Sequence, residues 1–140
     1  MIDNELINVV RKLYAAFNAG DLDALDEVLA DAFVEHEDTP GIPPNKEGLK
    51  QFVVMLRGAF PDTVFEVVDC AVELDKVWTR IIATGTHRGT WLGIPPTGRT
   101  IRIQVFDICR IDSNQIVEHW GLSDHMSVMR QLGVLPSLGT

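Results

Sequence analysis

The chain has 140 residues, 46% of them hydrophobic and 23% charged, and a formal net charge of −8. This balance is typical of one globular domain with a buried core, here residues 1–140, and it excludes a disordered chain. The excess of acidic residues repels phosphate backbones, so we predict no nucleic-acid partner. No apolar run reaches the ~18 residues of a membrane span, and the acidic residues in the N-terminal amphipathic pattern predict no secretory signal. We therefore expect a cytoplasmic protein that does not contact membranes.

Apolar residues at helical spacing predict three helices in the first half of the chain. Gly20 ends the first helix, and Asp21 can cap the second because its side chain accepts hydrogen bonds from free backbone N–H groups. Pro40, Pro43 and Pro44 then force a loop before the third helix. The predicted helices cover about 6–17, 22–29 and 46–59, and a short extended piece covers 33–36.

Runs of β-branched and aromatic residues predict four long strands in the second half. Asp75-Lys76 and Asp112-Ser113-Asn114 supply turns between strands. The predicted strands cover 64–74, 77–87, 101–111 and 116–122, and a closing helix covers 125–132. Three helices, an antiparallel meander and a closing helix predict an α+β fold with helices on one face of a curved sheet.

Motifs for several classes of site are missing from the sequence. The four histidines and two cysteines form no helical His-x-x-x-His pair and no thiolate cluster, so we predict no metal site. Gly-x-Ser-x-Gly and the glycine-rich phosphate loops are missing too, which argues against a serine hydrolase and against a nucleotide cofactor. Cys70 and Cys109 lie within predicted strands and are expected to be reduced. We expect no cofactor.

Three stretches carry a more specific signal. They are Phe33–His36, then Gly85–Gly89 with Trp91–Gly98, and finally Ile116–Asp124, which leads into Gln131–Gly133. Together they resemble the SnoaL-like polyketide cyclase family, also called ester cyclases, within the nuclear-transport-factor-2-like fold. The resemblance implies a conical α+β barrel, in which a curved, mostly antiparallel sheet is closed by N-terminal helices around an apolar cavity. It also implies a small apolar ligand and a homodimer formed through the outer face of the sheet.

Asp124 is the first candidate catalytic residue. The resemblance implies an aspartate here that acts as general acid and base in an intramolecular aldol ring closure. A carboxylate at the mouth of an apolar cavity loses solvation, which raises its pKa towards working pH and suits it to that task. The alternative is structural, because Asp124 directly precedes the last predicted helix, where an N-cap belongs.

His36 is the second candidate catalytic residue, since a histidine there could hydrogen-bond a substrate carbonyl. The alternative is an exposed histidine in an acidic loop. Side chains two apart share a face of a strand, so Trp120 and Leu122 are predicted to lie on the face of Asp124 and to line the cavity. Core packing is the alternative for Trp120. His119 then points to the opposite face, towards the surface or an interface.

The remaining candidates lie on the third strand and on the loop before it. The resemblance implies a Gln and a His two residues apart that polarise a substrate carbonyl. Gln104 could be the first of them, but Phe106 then occupies the place of the histidine, which puts cyclase activity in doubt. Asp107 is an alternative acid on this strand, or pairs with Arg88 or Arg110 across the sheet.

His87 and Trp91 belong to a segment that rims the cavity mouth in the family. Trp91 is therefore predicted to cover an apolar ligand, with a dimer contact as the alternative.

The leading hypothesis is cofactor-independent proton transfer on an apolar, carbonyl-bearing molecule, with aldol-type cyclisation as the implied reaction. A ligand-binding domain without turnover is the first alternative, and it requires Asp124 to be a helix cap with no second polar group in the cavity. An epoxide hydrolase is the second, and it requires Arg102 or Arg110 between Asp107 and Asp124 in one pocket.

Overall fold

The computed structural model describes residues 2–135 and confirms the α+β class. It has four helices and five strands within those residues. In chain order they are α1 (Ile2–Ala19), α2 (Leu22–Val28), β1 (Leu29–Glu35), α3 (Lys46–Ala59), β2 (Val64–Glu73), β3 (Lys76–Thr86), β4 (Thr100–Asp112), β5 (Gln115–Ser123) and α4 (His125–Gln131). The extended piece predicted at 33–36 is a longer strand, because β1 begins at Leu29 as soon as α2 ends.

The strands form one sheet in the order β1-β5-β4-β3-β2. All neighbours pair antiparallel except β1 and β5, which are parallel. The sheet is curved but not closed, with β1 and β2 at its two edges. The helices close the remaining side, so the cone predicted from the resemblance is completed by helices rather than by strand pairing.

The pairing of β4 with β5 decides which side chains face inward. Val105, Asp107 and Cys109 pair with Ser123, Gly121 and His119, respectively. Val105, Asp107, Cys109 and His119 are buried, whereas the alternate residues Phe106 and Leu122 are exposed. Because successive side chains point to opposite faces of a sheet, the odd-numbered residues in this part of β4 and β5 face the helices.

Helix α1 covers the inner face of the sheet with a stripe of apolar residues at helical spacing, including Leu13, Tyr14 and Phe17. Tyr14 and Phe17 pack on Phe65 of β2, with ring centroids 6.1 and 5.6 Å away. Burying a side chain of this size contributes roughly 1.5–3 kcal/mol. This aromatic cluster holds Tyr14 against the middle of the sheet.

Helix α3 and the loop before it form a second wall above the sheet. Asn45 caps α3 by accepting a hydrogen bond from the Gly48 backbone N–H at 2.9 Å. A Cβ at Gly48 would lie 1.7 Å from the backbone oxygen of Pro43, so only glycine allows the loop to pack this closely on α3. The loop also pairs with β1, where Glu35 donates its backbone N–H to the Pro44 oxygen at 3.1 Å. No helix within residues 2–135 is both long and apolar enough to cross a membrane.

Candidate functional site

A cavity of about 300 Å³ lies between the inner face of the sheet and the helices α3 and α4. Its walls are mainly aromatic and aliphatic side chains. They include Phe52, Leu56, Phe60, Phe65, Trp91, Ile101, Ile103, Val105, Val128 and Met129. This volume is at the lower end of the range of small-molecule sites, so the cavity fits a compact apolar ligand.

A smaller cavity of about 60 Å³ adjoins the first one, and titratable side chains lie among its mostly apolar walls. Glu37 and Ser123 line both cavities, whereas Tyr14, Asp107 and His119 line only the smaller one. The apolar cavity therefore ends at a group of titratable side chains, which we call the acid cluster: Tyr14, Glu35, Glu37, Asp107 and His119.

His119 is the cation of the acid cluster. Its Nδ1 lies 2.5 Å from Glu35 Oε2, and its Nε2 lies 3.3 Å from Asp107 Oδ2. Burial by itself would lower the pKa of His119, but the negative charges and hydrogen bonds of Asp107 and Glu35 outweigh burial and raise that pKa to about 10. His119 is therefore an imidazolium at neutral pH, with both ring N–H groups directed at carboxylates.

Tyr14 reaches Asp107 from α1 and donates its hydroxyl hydrogen bond to Asp107 Oδ2. Burial and the negative charge of Asp107 raise the pKa of Tyr14 well above its ordinary value, so the phenol keeps its proton. Asp107 Oδ2 thus faces two donors, Tyr14 and His119. Asp107 Oδ1 is buried and has no hydrogen-bond partner within residues 2–135.

Glu37 is the titratable group at the junction of the two cavities. Burial, together with the charge of Asp107, raises its pKa from the ordinary 4.5 to about 7, although the His119 cation acts in the opposite direction. Ser123 donates its hydroxyl hydrogen bond to Glu37 Oε2 at 3.3 Å. A carboxyl with this pKa exists in both protonation states near neutral pH, which is what acid–base catalysis requires.

Asp124 does not line either of these cavities, so the prediction that it faces the ligand was wrong. It is exposed and caps α4, and its Oδ1 accepts the Ser127 backbone N–H at 3.1 Å. The strand ends at Ser123, and Asp124 has left extended geometry with ψ near 72°. The alternation of β5 therefore cannot be continued to Asp124, and the helix-cap interpretation is the one observed.

The prediction that Trp120 and Leu122 line the cavity was also wrong, because the structure places them on the outer face of the sheet with Phe106. Gln104 is also exposed there, and its Oε1 accepts a hydrogen bond from Arg80 at 3.2 Å. His119, predicted to face outward, points into the acid cluster. Successive side chains of a strand point to opposite faces. The predicted facing of Trp120, Leu122 and His119 was counted from Asp124, so it was reversed for all three residues.

His36 lies outside the cavity as well. It is exposed, its Nε2 lies 2.8 Å from Glu118 Oε2, and its ring stacks on Trp120 with centroids 4.8 Å apart. The alternative interpretation of His36 as an exposed histidine is therefore the one observed. His36 does not line the cavity, so the geometry does not support an acid–base role for it there.

Trp91 is the predicted site residue that the structure does place at the cavity. It is only 6% exposed and packs edge-on against Phe52 and Phe60, with centroids 6.1 and 5.7 Å away. His87 is fully buried beside it, stacked on Phe60 at 5.3 Å. Thr97 donates its backbone N–H to His87 Nδ1 at 3.2 Å. His87 therefore supports the loop that carries Trp91 rather than reaching the ligand.

The epoxide-hydrolase arrangement is not assembled in the described residues. Arg110 pairs with Glu118 at 2.6 Å and with Asp75 at 3.8 Å, and Arg102 is exposed. Neither arginine lies between Asp107 and Asp124, and Asp107 pairs with Tyr14 and His119 instead of with Arg88 or Arg110. No group of three His, Cys, Asp or Glu residues in this part of the chain is arranged to hold a metal ion.

Comparison with known proteins gives a consistent family. The model of the SnoaL-like polyketide cyclase family matches residues 7–132. Nogalonic acid methyl ester cyclase of Streptomyces nogalater is 28% identical over 128 residues, which cover 86% of this chain and 92% of that protein. Aklanonic acid methyl ester cyclase DnrD of Streptomyces peucetius is 28% identical over 134 residues, covering 91% of this chain and 90% of that protein.

Solved structures agree with the sequence comparisons. IdmH of Streptomyces antibioticus, a candidate polyketide cyclase, is 36% identical, with a TM-score of 0.81 and coverage of 92% of this chain and 99% of that chain. TsrD of Streptomyces laurentii is 28% identical, with a TM-score of 0.86 and coverage of 94% and 97%.

Proposed function

Because the chain belongs to the SnoaL-like polyketide cyclase family, we propose that it catalyses an aldol-type ring closure on a small, apolar, carbonyl-bearing molecule, with Glu37 as general acid and base. The observation that carries the proposal is a glutamate with a pKa of about 7 at the inner end of an apolar cavity. The reaction needs only a proton acceptor that later returns the proton, so we propose that it proceeds without a cofactor.

The proton transfers balance within one turnover. Ionised Glu37 takes a proton from a carbon next to a substrate carbonyl, and the resulting enolate carbon attacks a second carbonyl of the same molecule. The new carbon–carbon bond leaves an alkoxide, which takes the proton back from Glu37. A group that must accept and then donate works best with a pKa near the working pH, which is the condition that burial creates at Glu37.

The rest of the acid cluster keeps Glu37 at that pKa and in place. The His119 cation offsets part of the negative charge of Asp107 and Glu35, and Glu35 Oε2 also accepts the Glu37 backbone N–H at 3.1 Å. Tyr14 and His119 hold Asp107. We therefore assign these four residues as positioning residues for ring closure, and Glu37 as the catalytic residue.

The test uses nogalonic acid methyl ester and aklanonic acid methyl ester as probes, with products followed by chromatography and mass spectrometry. We expect Glu37→Gln to lower kcat by at least ~100-fold, which is the lower end of what general acid–base catalysis supplies. Asp124→Asn is the matched control, since asparagine caps a helix nearly as well as aspartate, and it should retain activity. Loss of activity in Asp124→Asn with none in Glu37→Gln would restore Asp124 as the acid.

A binding protein without turnover remains the second candidate, and one observation favours it: Asp124 is a helix cap. That alternative also requires a cavity with no second polar group, and Glu37, Asp107 and His119 stand against it. Tight binding of both esters with no product from either would favour the binding role and refute ring closure.

We also propose that two copies of the chain associate through the outer face of the sheet. Trp78, Phe106 and Leu122 are 47%, 53% and 73% exposed there and border a shallow groove with Trp120. Clustered apolar side chains of this size on a surface mark a contact with another molecule. Light scattering behind size-exclusion chromatography should give twice the monomer mass, and a monomer would refute the proposal. A cytoplasmic location stays a prediction.

A further inference from the structure

Gly121 brings the carboxyl groups of Glu37 and Asp107 together. A Cβ built on Gly121 would lie 2.1 Å from Glu37 Oε1 and 2.9 Å from Asp107 Oδ1. Both oxygens therefore crowd the space that any other side chain would fill. Gly121 pairs directly with Asp107 in the sheet, so the register of β4 and β5 places the glycine beside Asp107, and Glu37 reaches the same glycine from the end of β1.

Asp107 Oδ1 needs a hydrogen-bond donor that the surrounding residues do not supply. Asp107 is 5% exposed, and Oδ1 is buried without a partner within residues 2–135. A buried acceptor without a donor is destabilising. A proton on the neighbouring Glu37 would satisfy it, because a protonated carboxyl is a donor and an ionised one is not.

The neighbouring groups decide which carboxyl holds the proton. Tyr14 from α1 and His119 from β5 both direct hydrogens at Asp107 Oδ2 and stabilise negative charge on Asp107. Glu37 has the Ser123 hydroxyl as a donor and faces the negative charges of Asp107 and of Glu35 from β1. Two adjacent carboxyl groups cannot both ionise readily, so the proton belongs to Glu37 and the charge to Asp107.

We propose that Glu37 and Asp107 share one proton across Gly121, and that this pair gives the cavity a second activity, the dehydration of β-hydroxy ketones to conjugated enones. A β-hydroxy ketone is also what aldol ring closure produces. The inference rests on the proposed function only in placing Glu37 at the reacting carbon, and it does not require ring closure to occur.

The elimination needs an acid and a base at the same time, and the two oxygens of the Glu37 carboxyl at the cavity supply both. One oxygen gives its proton to the departing hydroxide, which leaves as water as the carbon–oxygen bond breaks. The other oxygen takes the proton from the carbon between the carbonyl and the carbinol, and that electron pair forms the carbon–carbon double bond. One proton leaves Glu37 and one returns to it, and the negative charge of Asp107 beside it keeps the carboxyl protonated for the next turnover.

The test uses the aldol adduct of benzaldehyde and acetone, whose dehydration product, benzylideneacetone, is followed by its near-ultraviolet absorbance. Binding of the adduct is measured separately by tryptophan fluorescence. We expect Glu37→Gln and Asp107→Asn each to slow dehydration by at least ~100-fold, with Asp124→Asn as the unaffected control. The rate should fall as pH rises through about 7, because the protonated form of Glu37 is then lost. Ring closure should rise over the same interval.

Infrared difference spectra give a readout that does not depend on turnover. At pH 6 we expect a protonated-carboxyl band in the wild type that disappears in Glu37→Gln and titrates at lower pH in Asp107→Asn. Absence of that band would overturn the shared proton. A protein that binds no adduct, or binds it without forming enone, overturns the second activity. Ester cyclisation without dehydration would then leave ring closure standing, and dehydration without cyclisation would do the reverse.

Discussion

Replacing Glu37 by glutamine should stabilise the protein at alkaline pH and leave its stability unchanged at acid pH. In the folded protein Glu37 holds its proton up to about pH 7, whereas an unfolded chain releases it near 4.5. Between these values the folded state binds more protons than the unfolded state, so the free energy of unfolding of the wild type falls as pH rises. Glutamine cannot ionise, and the variant is free of this loss.

The size of the effect follows from the same pKa. At about 1.36 kcal/mol per pKa unit, a rise from 4.5 to about 7 costs the wild type at most about 3.4 kcal/mol above pH 7. Glu37 keeps some contact with solvent, so we expect about 2 kcal/mol. Part of the gain in the variant comes from geometry, because the glutamine amide can donate to Asp107 Oδ1, which has no partner among residues 2–135.

Urea unfolding of the wild type and of Glu37→Gln at pH 5 and at pH 8.5 measures the difference. His119 and the other titrating groups are present in both proteins, so subtracting the two free energies isolates Glu37. Glu66→Gln, at an exposed position on β2, is the control for replacing a glutamate by glutamine. A Glu37→Gln difference that does not change with pH would refute the buried, proton-holding glutamate.

Three further predictions follow from the contacts of the site and of the outer face. Tyr14→Phe removes the hydroxyl that Asp107 accepts from, and it should lower the free energy of unfolding by about 1–3 kcal/mol in urea unfolding. Asp124→Ala should lose about 0.5–2 kcal/mol of stability through the missing cap while ester cyclisation keeps its kcat, and a large fall in kcat would contradict the cap assignment. Leu122→Asp should elute as a monomer with unchanged cyclisation, because a charge is then placed on the proposed contact face.

The order and type of the elements could be predicted because each depends on residues close in sequence. The helix caps Asp21 and Asn45 and the stripe on α1 are local signals. Strand β1 was predicted too short, since the residues from Leu29 to Ala32 carry no alternation of their own. They become a strand through parallel pairing with β5, which is a partner more than 80 positions away in the sequence.

The facing of β4 and β5 was predictable in principle from β4 alone. Arg102, Gln104 and Arg110 occupy even positions, and Val105 and Cys109 occupy odd ones, which is the pattern of a strand with its odd-numbered side buried. This alternation in β4 disagrees with the prediction that Asp124 faces the cavity. The structure follows the alternation in β4. Asp107 is an odd-numbered residue of β4, so the alternation predicts a buried acid that needs a partner.

Glu37 and His119 could not be recognised as a pair from the sequence, because they meet only after β1 has paired with β5. An acidic residue at the end of an extended segment is ordinarily solvated. Glu37 is not, since Gly121 leaves room for its carboxyl, and since the carboxyl lines the same small cavity as Ile42 and Pro43 of the loop that packs on Gly48. Gly48 and Gly121 both matter because they have no side chain. This role cannot be recognised from the sequence until the fold shows what packs against them.

The charges of the acid cluster explain why Glu37, rather than a neighbour, changes protonation near neutral pH. His119 contacts Glu35 and Asp107 and offsets part of their charge, and Tyr14 adds a donor to Asp107. Within residues 2–135, Glu37 is the third carboxyl beside one cation, and the donor to its carboxyl is the Ser123 hydroxyl. The ionised form that costs the most is therefore that of Glu37, and the proton goes to the carboxyl that faces the apolar cavity. Removing the cation with His119→Gln should raise the pKa of Glu37 further, because the positive charge that lowers it is lost.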